Sequence, residues 1–366
     1  MGTCKIVVFR SADQPLALTE TVIPLLKEKE ILIRNEYATL CRSDLYTYTG
    51  KRIEKNPTIL GHEIVGRIEA FGPGAPERDL RGNSLKIGDR ITWAIFASNP
   101  ESEFSKMGMP QKAEDLFKYG HEQITPDSSL HGGLSQFTIL RKHTPIIKIS
   151  ESLALPVAAI INCAVATVSG AIRVAGNLSG KNVLICGTGM LGIIACAMAR
   201  SNGASKVFAT DTNAERLVIS KEFGVDEILE TNSGNSLKDL FLEKSDGLKS
   251  IHTLIDFSGS PDAMEEAFGL LGIGGTAVFI GATFPQRKIQ IDAEQVVRKI
   301  LTIKGLHNYN EQDLDTAVSF IEENQGIYPF VKLIYDGFSL EQSNEAFLYA
   351  LEKNDFRVGI TINSSK

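Results

Sequence analysis

Three short segments carry side chains able to hold a metal: Cys41-Arg42-Ser43-Asp44, Gly61-His62-Glu63 and Asn162-Cys163. Two thiolates, an imidazole and a carboxylate make a donor set suited to zinc, which takes sulfur and nitrogen ligands tetrahedrally. Taken singly each signal is weak, because a lone cysteine is more often a small buried hydrophobe and a lone histidine a hydrogen-bonded core residue. A second chemistry sits at Gly187-Thr188-Gly189-Met190-Leu191-Gly192, where an apolar strand at 183–186 runs into a G-x-G-x-x-G turn and then a helix with Leu191, Ala195 and Met198 on one face. Gly187 permits the tight turn, Gly189 lets backbone amides approach a pyrophosphate, and Gly192 lets helix and strand pack closely. The free amides at the helix start attract the anion. The next strand, 206–210, ends in Asp211, 24 residues after Gly187. An acid there accepts hydrogen bonds from the adenosine ribose hydroxyls and repels a 2′-phosphate, so NAD is expected over NADP, with Arg216 adding a contact. The other reading, that Asp211 caps the following helix, stays open at this point.

The elements that must position these groups change character along the chain. Up to residue 150 short strands rich in Ile, Val and Phe are expected at 5–10, 30–35, 62–71, 89–96 and 136–140, forming a barrel-like sheet. Residues 97–126 break the pattern and should form a surface excursion. From Lys181 strands alternate with helices: 182–186, a helix to 202, 206–210, a helix from 213, 251–257, a helix from 260, 276–281. Such alternation predicts an α/β, doubly wound parallel sheet. Asn213 and Ser260-Pro261 mark helix starts, and Gly203 and Gly224 follow helix ends. Beyond a strand at 302–306 come helices near 312–323 and 341–353 and a last strand at 357–362.

The chain has 366 residues, enough for two domains at about 150 each. Its 44 acidic and 38 basic residues form no long run of one sign, which argues against a nucleic-acid partner. Five scattered cysteines do not make a secreted disulfide framework. The first ten residues lack an export signal, and Ile6 stands where a myristoylation start needs Ser or Thr, so a cytoplasmic location is expected. Residues 152–172 carry no charge and approach the ~20 residues of a membrane span. Pro156, Asn162, Thr167, Ser169 and Gly170 interrupt that stretch, which reads instead as a buried helix, and no membrane association is expected.

The order of motifs resembles a family: Cys-x-Ser-Asp at 41–44, Gly-His-Glu-x-x-Gly at 61–66, Gly-Asp-Arg at 88–90, then the nucleotide fingerprint. It is similar to the zinc-containing medium-chain dehydrogenase/reductase superfamily, the alcohol dehydrogenases. Within that superfamily Tyr46-Thr-Tyr-Thr-Gly50, Leu116-Phe-Lys-Tyr-Gly-His-Glu122, Asn162-Cys-Ala-Val-Ala-Thr167 and Gly305-Leu-His-Asn-Tyr309 are most similar to the phosphonate-catabolism-associated alcohol dehydrogenases. The resemblance implies a β-rich GroES-like catalytic domain, 1–164 with 308–366, around a Rossmann NAD-binding domain, 165–307. It implies one catalytic zinc on Cys41, His62 and Cys163, with Glu63 as a nearby carboxylate able to coordinate. Asp44 would hold the His62 ring, Ser43 would take the substrate hydroxyl's proton, Arg42 and Arg357 would face the pyrophosphate, and Thr167 and Leu191 would flank the nicotinamide. Zinc held there would supply a Lewis acid that lets an alcohol give up its proton near neutral pH, and the alcohol carbon would then yield hydride to NAD. The substrate would be a small polar alcohol, phosphonate-bearing or a polyol or cyclitol; Lys51, Arg52, Lys118 and His121 would suit the former. Relatives are dimers or tetramers, and a homodimer is expected. Two other readings stand beside this one: a zinc-free NADPH-dependent reductase of the same fold, and a nucleotide-binding relative that has lost activity.

The chain departs from the family pattern in two places. Many relatives hold a second, structural zinc on four cysteines; here the corresponding positions are Asn99, Ser102, Ser105 and Ala113, so no structural zinc is expected. Tyr46 stands where relatives have a histidine that relays the proton from Ser43, and a phenol near pKa ~10 is a poorer relay than imidazole at ~6.5. His143 and His252 read as structural. His121 and His307 admit either substrate recognition or a plain loop role, and Trp93 and Ile95 either a pocket wall or core positions. Metal analysis of the purified protein is expected to give about one zinc per chain; about two would show that the lobe at 97–126 holds metal without cysteine.

Overall fold

In the computed structural model, which describes residues 2–363 apart from Asp13 and Asp127, the strand Ile31–Leu40 is the spine of the β-rich half. It is buried along almost its whole length and pairs antiparallel with three neighbours, Glu63–Phe71, Phe137–Leu140 and Arg357–Thr361. With Arg90–Trp93, Ile146–Lys148 and Ile334–Ser339 these make a seven-stranded sheet. Two registers set the position of the donor residues. Thr39 lies opposite Glu63, and Leu40 opposite Val358. Cys41, the His62-Glu63 pair and Arg357 therefore emerge at one end of the sheet, although 294 residues separate Glu63 from Arg357.

The helix Leu155–Ala159 packs on Ile31–Leu40 and Glu63–Phe71. It continues through a π-helical turn, Ile161–Val165, that carries Cys163, and then into Ala166–Ala175. This is the stretch long and apolar enough to cross a membrane, and 83% of its most apolar window is buried in the protein, as a core helix would be.

The second half holds a six-stranded sheet, every pair parallel, in the order Glu227–Glu230, Lys206–Asp211, Asn182–Cys186, Ile251–Asp256, Leu271–Phe279, Thr302–Gly305. The strand order reverses beside Asn182–Cys186, which in such sheets is where a ligand crevice opens. Asn213 caps Ala214–Ser220 through its side-chain oxygen, and Pro261 opens Pro261–Gly269 without a side-chain cap from Ser260.

By contact density the chain forms two units. One runs through Cys163 and adds Asn310–Gln325 and the residues from Phe330 on; the other comprises Ala164–Tyr309 with Gly326–Pro329. The strands Ala17–Val22, Ile146–Lys148, Glu227–Glu230 and Ile334–Ser339 and the helices Arg42–Tyr48, Leu237–Lys244 and Ala293–Arg298 were not anticipated. The excursion at 97–126 contains only the short helix Glu103–Lys106, a 3-10 turn Pro110–Lys112 and a two-residue pairing of Phe96–Ala97 with Phe117–Lys118. Met1, where the N-terminal reading began, lies outside the described residues, as do 364–366.

Glu36 locks the spine from within. Buried completely, it accepts from Arg67 Nε and from Arg90 Nε, each at 2.8 Å. Glu36→Ala leaves two guanidinium groups short of a carboxylate, and denaturant unfolding is expected to show a loss of about 3 kcal/mol.

Candidate metal and nucleotide sites

At the shared end of the seven-stranded sheet, one donor atom from each of Cys41, His62, Glu63 and Cys163 lies within 4.8 Å of all the others. Donors bound to one zinc at about 2.0–2.3 Å sit within roughly 4 Å of one another, so a small contraction about an ion satisfies this set. The fit is chemical as well as geometric, since sulfur and imidazole nitrogen predominate.

Each donor has a local reason for its place. Cys41 is the N-cap of the helix Arg42–Tyr48, whose third residue is Asp44. The buried Asp44 carboxylate accepts from Cys41 N at 2.9 Å and from Gly61 N at 3.1 Å, so it ties the two ligand-bearing loops together. Its Oδ1 also lies 3.4 Å from His62 Nδ1. Asn162 Nδ2 donates to the His62 carbonyl at 3.0 Å, linking the π turn to the same loop. Ser43 Oγ stands 3.4 Å from His62 Nε2. Glu63 accepts from Thr39 Oγ1 at 2.6 Å.

Arg357 joins the cluster. Its buried guanidinium donates to both oxygens of Glu63, Nε to Oε2 at 2.7 Å and Nη2 to Oε1 at 2.8 Å, and Nη2 lies 3.6 Å from Cys41 Sγ. The cause is register: the first residue of Arg357–Thr361 lies next to the end of the spine strand, a neighbourhood that local sequence does not reveal. Arg42, on the exposed face, donates to Asn354 Oδ1 at 2.9 Å. The Tyr46 ring has Arg42 Cζ 6.0 Å and Lys51 Nζ 5.8 Å from its centroid.

Cys163 donates to Cys41, which, with the positive charges of Arg357 and His62, holds the Cys41 thiol well below its usual pKa despite burial. Cys163, the donor of that bond and half-buried, is pushed well up by that bond and by desolvation. Burial disfavours a charged His62, yet Asp44 and Cys41 outweigh it and raise its pKa. Burial likewise raises Glu63 against the pull of Arg357. His121 is buried with its ring centroid 4.9 Å from that of His62 and its Nδ1 3.1 Å from Glu54 Oε1; burial, His62 and Arg52 together push its pKa down. Trp93 and Ile95 are buried, Trp93 within an aliphatic core, and His307 is exposed. His252 Nδ1 accepts from Asn182 N, a structural contact between neighbouring strands.

In the other unit the glycine-rich turn leaves Asn182–Cys186 at the order reversal. Gly187 has φ +85°, and a Cβ there would meet Ser258 N at 2.8 Å. A Cβ on Gly192 would run into the Gly187 carbonyl. Gly189 caps the helix Met190–Ser201, with Arg216 Nη1 as its nearest neighbour 4.0 Å from a would-be Cβ, so its backbone face is bare. Met190 and Thr167 are buried, and Leu191 is half-buried. Asp211 accepts from Thr188 N at 2.6 Å, Thr188 Oγ1 at 3.0 Å and Asn213 N at 2.9 Å. The cap of the next helix is Asn213, which frees Asp211 from that role.

Family models agree with this division. Residues 27–151 match the alcohol dehydrogenase GroES-like domain and residues 191–323 the zinc-binding dehydrogenase domain. An alcohol dehydrogenase of Geobacillus stearothermophilus is 28% identical over 94% of this chain and 95% of its own length. Sorbitol dehydrogenase of Bacillus subtilis is 26% identical over 91% and 90%. The crystal structure of an alcohol dehydrogenase from Thermotoga maritima superposes with a TM-score of 0.92 at 26% identity, covering 99% of this chain and 100% of the other. The chain belongs to the zinc-containing medium-chain dehydrogenase/reductase superfamily, with its GroES-like and Rossmann folds. It is an oxidoreductase of alcohol dehydrogenase type.

Neither the Arg357–Glu63 pair nor the Glu54–His121 contact is visible in the sequence, since both join residues far apart along the chain. A metal entering the cluster must displace the protons held by Cys163 and His62. Zinc added to metal-stripped protein in weak buffer is therefore expected to acidify the solution, and zinc affinity to fall as the pH is lowered, measured by proton-release titration.

Proposed function

We propose that the protein is a zinc- and NAD-dependent alcohol dehydrogenase that moves hydride between the carbinol carbon of a small polar alcohol and nicotinamide. The observation that carries this reading is the convergence of Cys41, His62, Glu63 and Cys163 within 4.8 Å. Bound by Cys41, His62 and Cys163, zinc would supply a Lewis acid that lowers the pKa of a hydroxyl group at its remaining position. The other contributions come from the chain. Ser43 Oγ, beside His62 Nε2, takes the hydroxyl proton and hands it on toward Tyr46, a slower relay than a histidine. Asp44 keeps both ligand loops in place, and Arg357 holds the Glu63 carboxylate by two hydrogen bonds. Gly187, Gly189 and Gly192 present bare backbone to the pyrophosphate, with Arg42 as a further cation. Asp211 accepts from the adenosine ribose, assisted by Arg216, while Thr167, Met190 and Leu191 border the nicotinamide.

One zinc per chain fits this reading. In the lobe where relatives carry four cysteines, Ser102 Oγ bonds Ser105 Oγ at 2.8 Å and Asn99 N donates to Asp115, so hydrogen bonds take over the clamp's task. A homodimer is supported by the Thr302–Gly305 strand, a wholly exposed sheet edge flanked by Ile273, Val297 and Ile300, each more than two-thirds exposed. A tetramer would use the same edge. We place the protein in the cytoplasm, in keeping with its free cysteines. The zinc-free NADPH reductase and the inactive relative are less well supported, because all four donors are present and Asp211 ends its strand.

The test is reduced-cofactor formation over a panel of alcohols, run with NAD and with NADP. The zinc-loaded enzyme is expected to prefer NAD, and Cys41→Ala to abolish turnover while retaining NADH binding by fluorescence. A metal-free Cys41→Ala protein that still turned over would overturn the proposal.

A further inference from the structure

Among the described residues, one cation within electrostatic reach of Cys163 has no ion-pair partner. Lys118 ends the short strand Phe117–Lys118, held in register opposite Phe96. The chain then turns back, with His121 N donating to Lys118 O, and three residues on the His121 ring packs against His62. The half-buried Lys118 ammonium lies within electrostatic reach of Cys163, Glu54, Arg52 and Lys112. Among the described residues it has no hydrogen-bond or ion-pair partner. The carboxylate it senses is already committed, for Glu54 Oε1 is 3.1 Å from His121 Nδ1 and 2.5 Å from Arg52 Nε. Burial and the like charges of Arg52 and Lys112 push the Lys118 pKa down, against the pull of Glu54 and Cys163.

A partly desolvated charge among other cations costs stability unless an opposite charge meets it. Nothing among the described residues does so, although Lys118 is only half-buried and lies within electrostatic reach of Cys163. We propose that Lys118 recognises an anionic substituent, a carboxylate or a phosphate-type group, on the alcohol turned over at the neighbouring cluster. This rests on the dehydrogenase reading and narrows its substrate class. Lys118 acts as a compact point charge, whereas Arg52 is held by Glu54. It touches no reacting atom, so it sets specificity, and its loss raises KM more than it lowers kcat.

Two measurements test this, one of them without turnover. In the first, metal-stripped wild type, Lys118→Met and Lys118→Arg are melted with inorganic phosphate, with acetate, and without either. Wild type is expected to gain melting temperature with at least one anion, Lys118→Arg to keep that response, and Lys118→Met to lose the share due to this site while melting higher than wild type when no anion is added. The phosphate and acetate arms show which anion is favoured. In the second, the zinc-loaded enzyme is given alcohols of one carbon skeleton with and without a terminal phosphonate or carboxylate. Lys118→Met is expected to lose about a hundredfold in kcat/KM on the charged members and to keep its activity on the neutral ones. An anion response identical in wild type and Lys118→Met, or unchanged discrimination between charged and neutral alcohols, overturns the proposal. If no alcohol is oxidised at all, the dehydrogenase reading fails, and the melting series still decides the role of Lys118.

Discussion

The buried ion pair of Glu63 with Arg357 is the constraint on which the metal cluster depends. Both groups are removed from water, so neither tolerates the absence of the other. The two-bond geometry, at 2.7 and 2.8 Å, is reached only when the strand carrying Arg357 and the strand carrying Glu63 both pair with Ile31–Leu40 in the observed register. A slip of one residue would turn Glu63 to the opposite face and strand the guanidinium. The same guanidinium lies beside Cys41 Sγ, so one cation both holds a carboxylate and favours a thiolate. Asp44 and Asn162 extend the logic by hydrogen bonding the backbone of the ligand-bearing loops, which fixes those loops relative to one another.

The nucleotide unit depends on close approach rather than on charge. Gly187 packs against Ser258, and Gly192 against the Gly187 carbonyl. Asp256, fully buried at the end of the adjacent strand, accepts from Ser258 N and Gly259 N and so pins the loop against which Gly187 turns. Side chains are absent where a phosphate needs bare amides, and the small residues that leave room there also bring two strand ends together.

What could be read from sequence depends on how far each signal reaches along the chain. The glycine-rich turn, Asn213 and the alternation after Lys181 are local patterns, and the parallel sheet appears where they place it. Donor types at 41, 62, 63 and 163 were legible as chemistry, and their convergence rested on resemblance until the fold supplied coordinates. The bond of Arg357 to Glu63 was not legible because pairing between strands hundreds of residues apart leaves no mark on local periodicity. The helix Arg42–Tyr48 escaped because its cap is a cysteine, outside the usual polar set. The π turn escaped because a largely apolar run looks the same whether a helix winds by four residues or five. Lys118 was noted only as one cation among several; that no described residue pairs with it is seen only in the folded chain.

The β-rich unit is assembled from both sides of the nucleotide unit's sequence, and this bears on how the protein is made. A ribosome releases Cys41, His62 and Cys163 long before Arg357, so the nascent chain carries a loosely held carboxylate and thiol pair through most of its synthesis. The Rossmann sheet, whose strands lie between 182 and 305, has all its parts earlier. Completion of the catalytic half thus waits on translation of its final strand, and premature termination anywhere before codon 357 leaves Glu63 without its guanidinium.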